Sequence, residues 1–129
     1  MAKILLVEDD ELVREMLMQV LQRASHEITA TANGEEAIEA LKKTNPEIMI
    51  TDIIMPKMSG ITLITEVKNR HPAMQIIAIS GGGRLDPTGY LDLSESLGAS
   101  ASFEKPLNKE ALLMAIDLLL HKSTEKIGT

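Results

Sequence analysis

The sequence contains no cysteine and no tryptophan, and its 129 residues include only one tyrosine and one phenylalanine. The absence of cysteine excludes disulfide bonds, thiolate metal sites and cysteine nucleophiles. No apolar run is long enough to cross a membrane, and the apolar stretch at residues 4–7 is followed too soon by acids to be a signal peptide. We therefore expect a soluble cytoplasmic protein. Because hydrophobic residues make up 44% and aromatic residues 2% of the chain, its core must be aliphatic.

The charge balance is acidic, with 13 Lys and Arg residues against 19 Asp and Glu residues and a net charge of -6. Phosphate backbones and anionic lipid surfaces repel such a chain, so we expect neither nucleic acid nor a membrane as a direct partner. The length fits one domain, which we place at residues 1–121, with a short C-terminal tail at residues 122–129.

Short apolar runs alternate with amphipathic segments along the whole chain, which is typical of βαβ units in an α/β fold. The predicted strands cover residues 3–7, 27–32, 47–51, 75–79 and 101–104. Right-handed crossovers between parallel strands place helices on both faces of the sheet. We therefore predict a doubly wound, five-stranded parallel sheet.

Helix signals lie between these strands. Asp10 can cap the first helix, and Asn33 with Glu36 three residues later forms a capping pattern for a second helix that reaches Lys43. Further helices are predicted at residues 61–70 and 86–97 and from residue 108 onward, with Gly98 ending the fourth helix and frayed residues after Leu120.

The residues that could bind a ligand or take part in a reaction follow the carboxyl ends of the predicted strands, since ligands of such sheets bind beyond these ends. The residues found there are Glu8, Asp9, Asp52, Ser80, Gly81 and Lys105. Carboxylates brought together repel one another, and a hard divalent cation with oxygen ligands offsets that repulsion. Mg²⁺ is the natural candidate, held by Asp9, Asp52 and a backbone carbonyl just after Asp52.

The remaining strand-end residues are suited to phosphate. Lys105 supplies a cation, Ser80 a hydroxyl donor and the Gly81 region backbone N–H groups, which are the donors needed around a phosphoryl group in transfer. Asp52 would be the nucleophile, because a carboxylate can form an acyl phosphate when a metal and a lysine reduce the repulsion between two anions.

Four separated motifs resemble those of one known family. They are V-E-D-D at residues 7–10, D-I-I-M-P-K-M-S-G at 52–60, Ser80 followed by small residues, and K-P at 105–106. In this order and spacing they resemble the receiver domain of two-component response regulators, of the chemotaxis-regulator kind, over roughly residues 2–120. The resemblance implies a flavodoxin-like sheet of order 2-1-3-4-5 and a phosphorylation-dependent signalling switch, not an enzyme.

The resemblance also implies a role for each site residue. Asp52 would accept a phosphoryl group, and Mg²⁺ would be bound by Glu8, Asp9, Asp52 and the backbone carbonyl of Ile54. The phosphoryl group would then contact Ser80, Lys105 and the backbone of Gly81, and the bond between Lys105 and Pro106 would be cis.

The implied phosphoryl donor is a histidine kinase or a histidine phosphotransfer protein. The downstream target is not identified by the resemblance, which leaves open a monomer or a phosphorylation-dependent dimer. It equally leaves open whether the chain acts alone or is the receiver part of a longer regulator.

The sequence departs from the family pattern at two positions. Ser102 stands where receivers often carry an aromatic residue that reports phosphorylation, and neighbouring Phe103 has the wrong strand parity to replace it. Ile54 stands where family members often have a polar side chain that influences hydrolysis, so we expect a long-lived phosphorylated state. The glycine-rich segment at residues 81–97 is predicted to be the main moving element.

Other functions remain open at this point. The same groups could serve a phosphohydrolase with an aspartyl nucleophile and Mg²⁺, although Ile54 leaves it without a second carboxylate two residues after Asp52. A flavin-binding module of the same fold has few aromatic residues to hold a ring system. A receiver that binds partners without phosphorylation is a further alternative. The residues His26, His71 and His121 show no metal spacing and are assigned no site.

Overall fold

The computed structural model describes residues 2–55, 57–80 and 94–128, with side chains described up to residue 121. Within these ranges five parallel strands form one sheet of order β2-β1-β3-β4-β5, which confirms the predicted doubly wound, flavodoxin-like fold. The strands are β1 (Lys3–Val7), β2 (Glu27–Thr31), β3 (Ile48–Asp52), β4 (Gln75–Ser80) and β5 (Ala101–Glu104).

Four long helices accompany the sheet in the described ranges: α1 (Glu11–Arg23), α2 (Gly34–Lys43), α3 (Gly60–Arg70) and α4 (Lys109–Gly128). The predicted caps are present, because the side chains of Asp10 and Asn33 accept the backbone N–H groups of their first helical turns. Most of the helix predicted at residues 86–97 lies outside the described residues. Residues 94–96 are helical, and Gly98 follows them with a φ of 123°, a conformation that favours glycine.

The C-terminal residues depart from the sequence prediction. We expected fraying after Leu120, but the backbone of α4 continues as a helix to Gly128. Good helix formers such as Glu125 and Lys126 lie in this stretch, and neither glycine nor proline occurs before residue 128.

The sheet divides the aliphatic interior into two layers. Strands β1 and β3 are buried almost throughout, as expected for central parallel strands covered on both faces. One layer packs Leu6 and Ile50 against Leu17 of α1 and Ile116 of α4. The other packs the intervening strand residues against α2 and α3. The two layers hold the central strands rigidly, so residues just beyond the strand ends have fixed starting points.

The N-terminus of α3 lies against the end of β3. The N–H of Gly60 donates to the carbonyl of Ile53 at 2.7 Å. A Cβ atom at Gly60 would lie only 2.2 Å from the carbonyl oxygen of Asp52 and 2.5 Å from Cα of Ile53. Glycine at this position therefore permits a backbone approach that any side chain would prevent.

We predict that Gly60→Ala lowers the free energy of unfolding by about 3 kcal/mol, because backbone atoms cannot yield to the added methyl group. Gly34→Ala is the matched control, since Gly34 is also the first residue of a helix but its Cβ would meet the flexible side chain of Met58. Urea unfolding of both variants checks this. Equal stability of the two variants would contradict the close-approach argument.

Candidate functional site

Three carboxylates meet at the carboxyl edge of the sheet. Glu8 and Asp9 follow β1, and Asp52 is the last residue of β3, which pairs directly with β1. One carboxylate oxygen from each of the three residues lies within 4.8 Å of the others. Glu8 and Asp52 are buried, with exposed fractions of 1% and 5%, whereas Asp9 is exposed. The sequence prediction that these three residues come together is thus matched by the geometry.

Lys105 brings a positive charge into this carboxylate cluster. Its Nζ lies 2.9 Å from Oδ2 of Asp52, to which it donates a hydrogen bond, and 2.9 Å from Oε1 of Glu8. Its backbone N–H donates to the carbonyl of Ser80 at 2.8 Å, which ties the residue after β5 to the end of β4. The peptide bond between Lys105 and Pro106 is cis, as the family resemblance implied.

The electrostatics of the cluster follow from burial and proximity. Burial, together with the nearby charge of Asp52, raises the pKa of Glu8 to about 7, even though Lys105 and the N–H of Asp10 act in the opposite direction. Burial alone would lower the pKa of Lys105, but its contacts with Asp52 and Glu8 raise it above the usual lysine value. Lys105 is therefore held in its charged form between two acids.

The donor set fits Mg²⁺. Octahedral Mg²⁺ is bound by oxygen ligands, and one carboxylate oxygen from each of Glu8, Asp9 and Asp52 lies within 4.8 Å of the others, so the three residues could contribute ligands to one ion. In addition, Oε1 of Glu8 is buried and lacks a hydrogen bond of good geometry, even though it is ion-paired with Lys105. A buried oxygen of this kind has unused capacity to accept a cation or a water molecule.

The turn after Asp52 is fixed by backbone contacts. The N–H of Ile53 donates to the carbonyl of Ile79 at 2.9 Å, and the N–H of Ile54 donates to Oδ1 of Asp52 at 3.3 Å. The side chain of Ile54 is 44% exposed. An apolar, accessible side chain therefore borders the carboxylate, as the sequence predicts.

Ser80 lies beside Asp52 in the sheet. It is the last residue of β4, one position beyond Ile79, which is the partner of Asp52 in the β3–β4 register, and it is fully buried. Gly81, the predicted backbone contact of the phosphoryl group, lies outside the described residues. Most of the predicted mobile segment at residues 81–97 lies outside them as well.

Ser102, where the sequence departs from the family pattern, and its neighbour Phe103 lie on opposite faces of β5. Phe103 packs against the layer that contains α1 and α4. Ser102 lies on the other face, and its Oγ donates to Oε2 of Glu95 at 2.7 Å. The opposite orientation of these two side chains, predicted from strand parity, is thereby confirmed: Phe103 does not occupy the place of the missing aromatic residue, and a serine–glutamate hydrogen bond is present there instead.

Sequence reasoning missed two residues that shape the site. The first is Gly60, whose place in the motif was noted but whose contact with Asp52 was not. The second is Arg14, whose Nη1 donates to the carbonyl of Glu8 at 2.9 Å. Nothing in the pattern of α1 distinguishes Arg14 from a solvated surface arginine.

Comparison with known proteins agrees with the geometry. Residues 4–117 match the sequence profile of the "Response regulator receiver domain" family. The chemotaxis protein CheY of Bacillus subtilis is 32% identical over 120 residues, which cover 92% of this chain and 98% of CheY. The chain belongs to the response regulator receiver family.

Longer proteins are also similar to this chain. A cyclic di-GMP phosphodiesterase of Thermotoga maritima is 29% identical over 113 residues, covering 88% of this chain but 29% of that protein. The crystal structure of NtrX from Brucella abortus matches with a TM-score of 0.90 and 25% identity, covering 98% of this chain and 28% of NtrX. The chain thus spans less than a third of these two proteins. It corresponds to a signalling module found within them, and the phosphodiesterase name belongs to the longer protein.

No helix in the described part of the chain is long and apolar enough to span a membrane. Within the same residues, Glu8, Asp9 and Asp52 are the one group of three or more acidic or histidine side chains with a metal-compatible arrangement. The histidines His26 and His71 take no part in it.

We predict that Lys105→Met lowers the stability of the metal-free protein by about 2–4 kcal/mol at pH 8, because Glu8 and Asp52 lose their buried counter-ion. The loss should be smaller at pH 5.5. A carboxyl whose pKa is raised on folding stabilises the folded state when it is protonated, and this contribution is lost as the pH rises through that pKa. Removing Lys105 raises the pKa of Glu8 further, so at pH 5.5 Glu8 is mostly protonated and needs no counter-ion.

Denaturant unfolding in EDTA at both pH values measures this effect. Lys42→Met is the matched control, since Lys42 pairs with Glu39 at the same 2.9 Å distance but on the exposed surface, and its stability should stay close to that of the wild type. A pH-independent loss for Lys105→Met would show that the buried ion pair is not its cause.

Proposed function

We propose that this chain is a phosphorylation-dependent switch that accepts a phosphoryl group on Asp52 from a histidine kinase or a histidine phosphotransfer protein. The observation that carries the proposal is the position of Lys105, whose Nζ contacts both Asp52 and Glu8 inside a cluster of three carboxylates. A lysine at this place balances the acids at rest and can pair with a phosphoryl group after transfer.

Phosphoryl transfer requires the acceptor and the donor phosphate, both anionic, to approach each other. Glu8, Asp9, Asp52 and the carbonyl of Ile54 would hold Mg²⁺, which when bound neutralises the charge that develops on the phosphoryl oxygens. An oxygen of Asp52 attacks phosphorus, the bond between phosphorus and the donor imidazole nitrogen breaks, and the electron pair remains on the imidazole. The product is an acyl phosphate on Asp52.

The chain's own donors stabilise the transferred group. The ammonium group of Lys105 would then pair with the phosphoryl oxygens instead of with the Asp52 carboxylate. Ser80 would donate its hydroxyl, and the backbone N–H of Gly81 would complete the set. Ser80 and Lys105 are already coupled through the 2.8 Å hydrogen bond between their backbones, so a shift of one is transmitted to the other.

Receiver domains act through histidine kinases upstream and effectors downstream, and we propose the same for this chain, in the cytoplasm. Phosphorylation would shift the surface that binds the downstream partner, with the protein acting as a monomer or as a phosphorylation-dependent dimer. Ser102 and Glu95 replace the usual aromatic contact, so the readout in this chain would depend on a hydrogen bond rather than on the packing of a ring.

The decisive experiment is intact mass after incubation with a small-molecule phosphodonor, with and without Mg²⁺. We expect the addition of one phosphoryl group to the wild type only when Mg²⁺ is present, and no addition to Asp52→Asn. The variant Asp117→Asn is the matched control, because Asp117 is an exposed acid of α4 and belongs to no part of the proposed site. A wild type that binds Mg²⁺ but never gains mass would indicate a phosphorylation-independent binding module.

We predict that Ile54→Asn shortens the lifetime of the phosphorylated protein several-fold. An amide at this exposed position next to Asp52 can orient an attacking water molecule, whereas isoleucine cannot. Decay of the phosphorylated mass after removal of the donor measures the lifetime, with Ile54→Val as the apolar control. Equal decay in all three proteins would mean that residue 54 does not limit hydrolysis.

A further inference from the structure

The carboxylate of Asp9 is positioned by its backbone rather than by its own contacts. It is exposed, and within the described part of the chain its side chain makes no hydrogen bond or ion pair. Glu8 and Asp52, by contrast, are buried and contact Lys105. The place of the Asp9 oxygens therefore depends on what fixes the chain on either side of this residue.

Three hydrogen bonds fix that backbone. The N–H of Glu8 donates to the carbonyl of Thr31 at 3.1 Å, and the N–H of Asp10 donates to Oε2 of Glu8 at 3.1 Å. The third bond comes from a side chain, because Nη1 of Arg14 donates to the carbonyl of Glu8 at 2.9 Å. This carbonyl belongs to the peptide unit that joins Glu8 to Asp9. Since a peptide unit is planar, holding its oxygen also fixes the N–H and Cα of Asp9.

Arg14 is well placed to act as this restraint. It lies in the second turn of α1, a helix whose N-terminus is capped by Asp10 and whose inner face is anchored in the core by Leu17. Its side chain is half-buried, so the guanidinium is held rather than freely solvated. The bond thus connects a helix anchored in the core to the exposed side of the carboxylate cluster.

We propose that Arg14 is a positioning residue for the divalent cation: it holds the peptide between Glu8 and Asp9 so that the Asp9 carboxylate stays within coordinating distance of Asp52. This inference rests on the proposed Mg²⁺ site. It makes a distinctive prediction, because a positive charge near a cation site opposes binding. Loss of Arg14 should tighten Mg²⁺ binding if its charge dominates and weaken it if positioning dominates.

In the test, Mg²⁺ alone is titrated into the metal-free full chain, and binding is measured by calorimetry or by NMR chemical shifts. We expect Arg14→Met to raise the Kd for Mg²⁺ by about tenfold, the lower end of what the loss of an outer-shell contact usually costs. Arg14→Lys, which keeps the charge and one donor, should recover most of the affinity. Arg23→Met, which removes an exposed arginine from the far end of α1, should leave the Kd unchanged.

A second readout needs no metal. In EDTA, the amide of Asp10 should exchange with solvent faster in Arg14→Met than in the wild type or Arg23→Met, since the turn that holds it is less restrained. Thermal melts identify any variant that fails to fold, and Arg14→Gln, whose shorter polar side chain also removes the guanidinium, then carries the test with the same expected rise in Kd. Wild-type-like exchange together with an equal or tighter Mg²⁺ Kd in Arg14→Met would overturn the inference. A wild type that does not bind Mg²⁺ would instead overturn the proposed site.

Discussion

The contact of one lysine with two buried acids is the interaction on which the rest of this site depends. Glu8 and Asp52 sit almost fully out of water at the ends of adjacent central strands, where isolated carboxylates would be costly. Lys105 lies 2.9 Å from both and offsets that cost. The balance is incomplete, because burial still leaves the pKa of Glu8 at about 7. The site therefore retains a need for positive charge, which a divalent cation can meet.

This balance is possible because the fold delivers the three residues from three different strands to one edge. Parallel strands in register end together, and aliphatic layers on both faces of the sheet prevent the ends from shifting. The reactive groups thus lie on short extensions of the most rigid part of the molecule. Membership of the receiver family is consistent with this division between a fixed scaffold and changeable strand-end loops.

Much of this arrangement could be predicted from the sequence. Strand positions followed from apolar runs, and the helix starts at Asp10 and Asn33 followed from side chains that can accept backbone N–H groups. The acidic cluster and Lys105 followed from the rule that parallel strands end at one edge. The length of α4 could not be predicted, since its last residues have no clear hydrophobic period and only weak end signals.

Contacts that depend on three-dimensional distance rather than on a sequence pattern also could not be predicted. The hydrogen bond from Arg14 to the carbonyl of Glu8 involves a backbone atom, which carries no sequence signature. The same holds for the bond between Ser102 and Glu95, since the sequence shows the missing aromatic residue but not the partner that serine finds. Side-chain reach and the exact path of a turn decide such contacts.

The close approach of Gly60 to the end of β3 has a consequence for how the molecule can move. With no room for even one carbon atom between the start of α3 and the carbonyl of Asp52, there is no slack between the helix and the acceptor residue. A displacement of the Asp52 backbone therefore displaces the N-terminus of α3 as well. Mutational drift at position 60 would loosen this mechanical link even where the chemistry of the carboxylates remained intact.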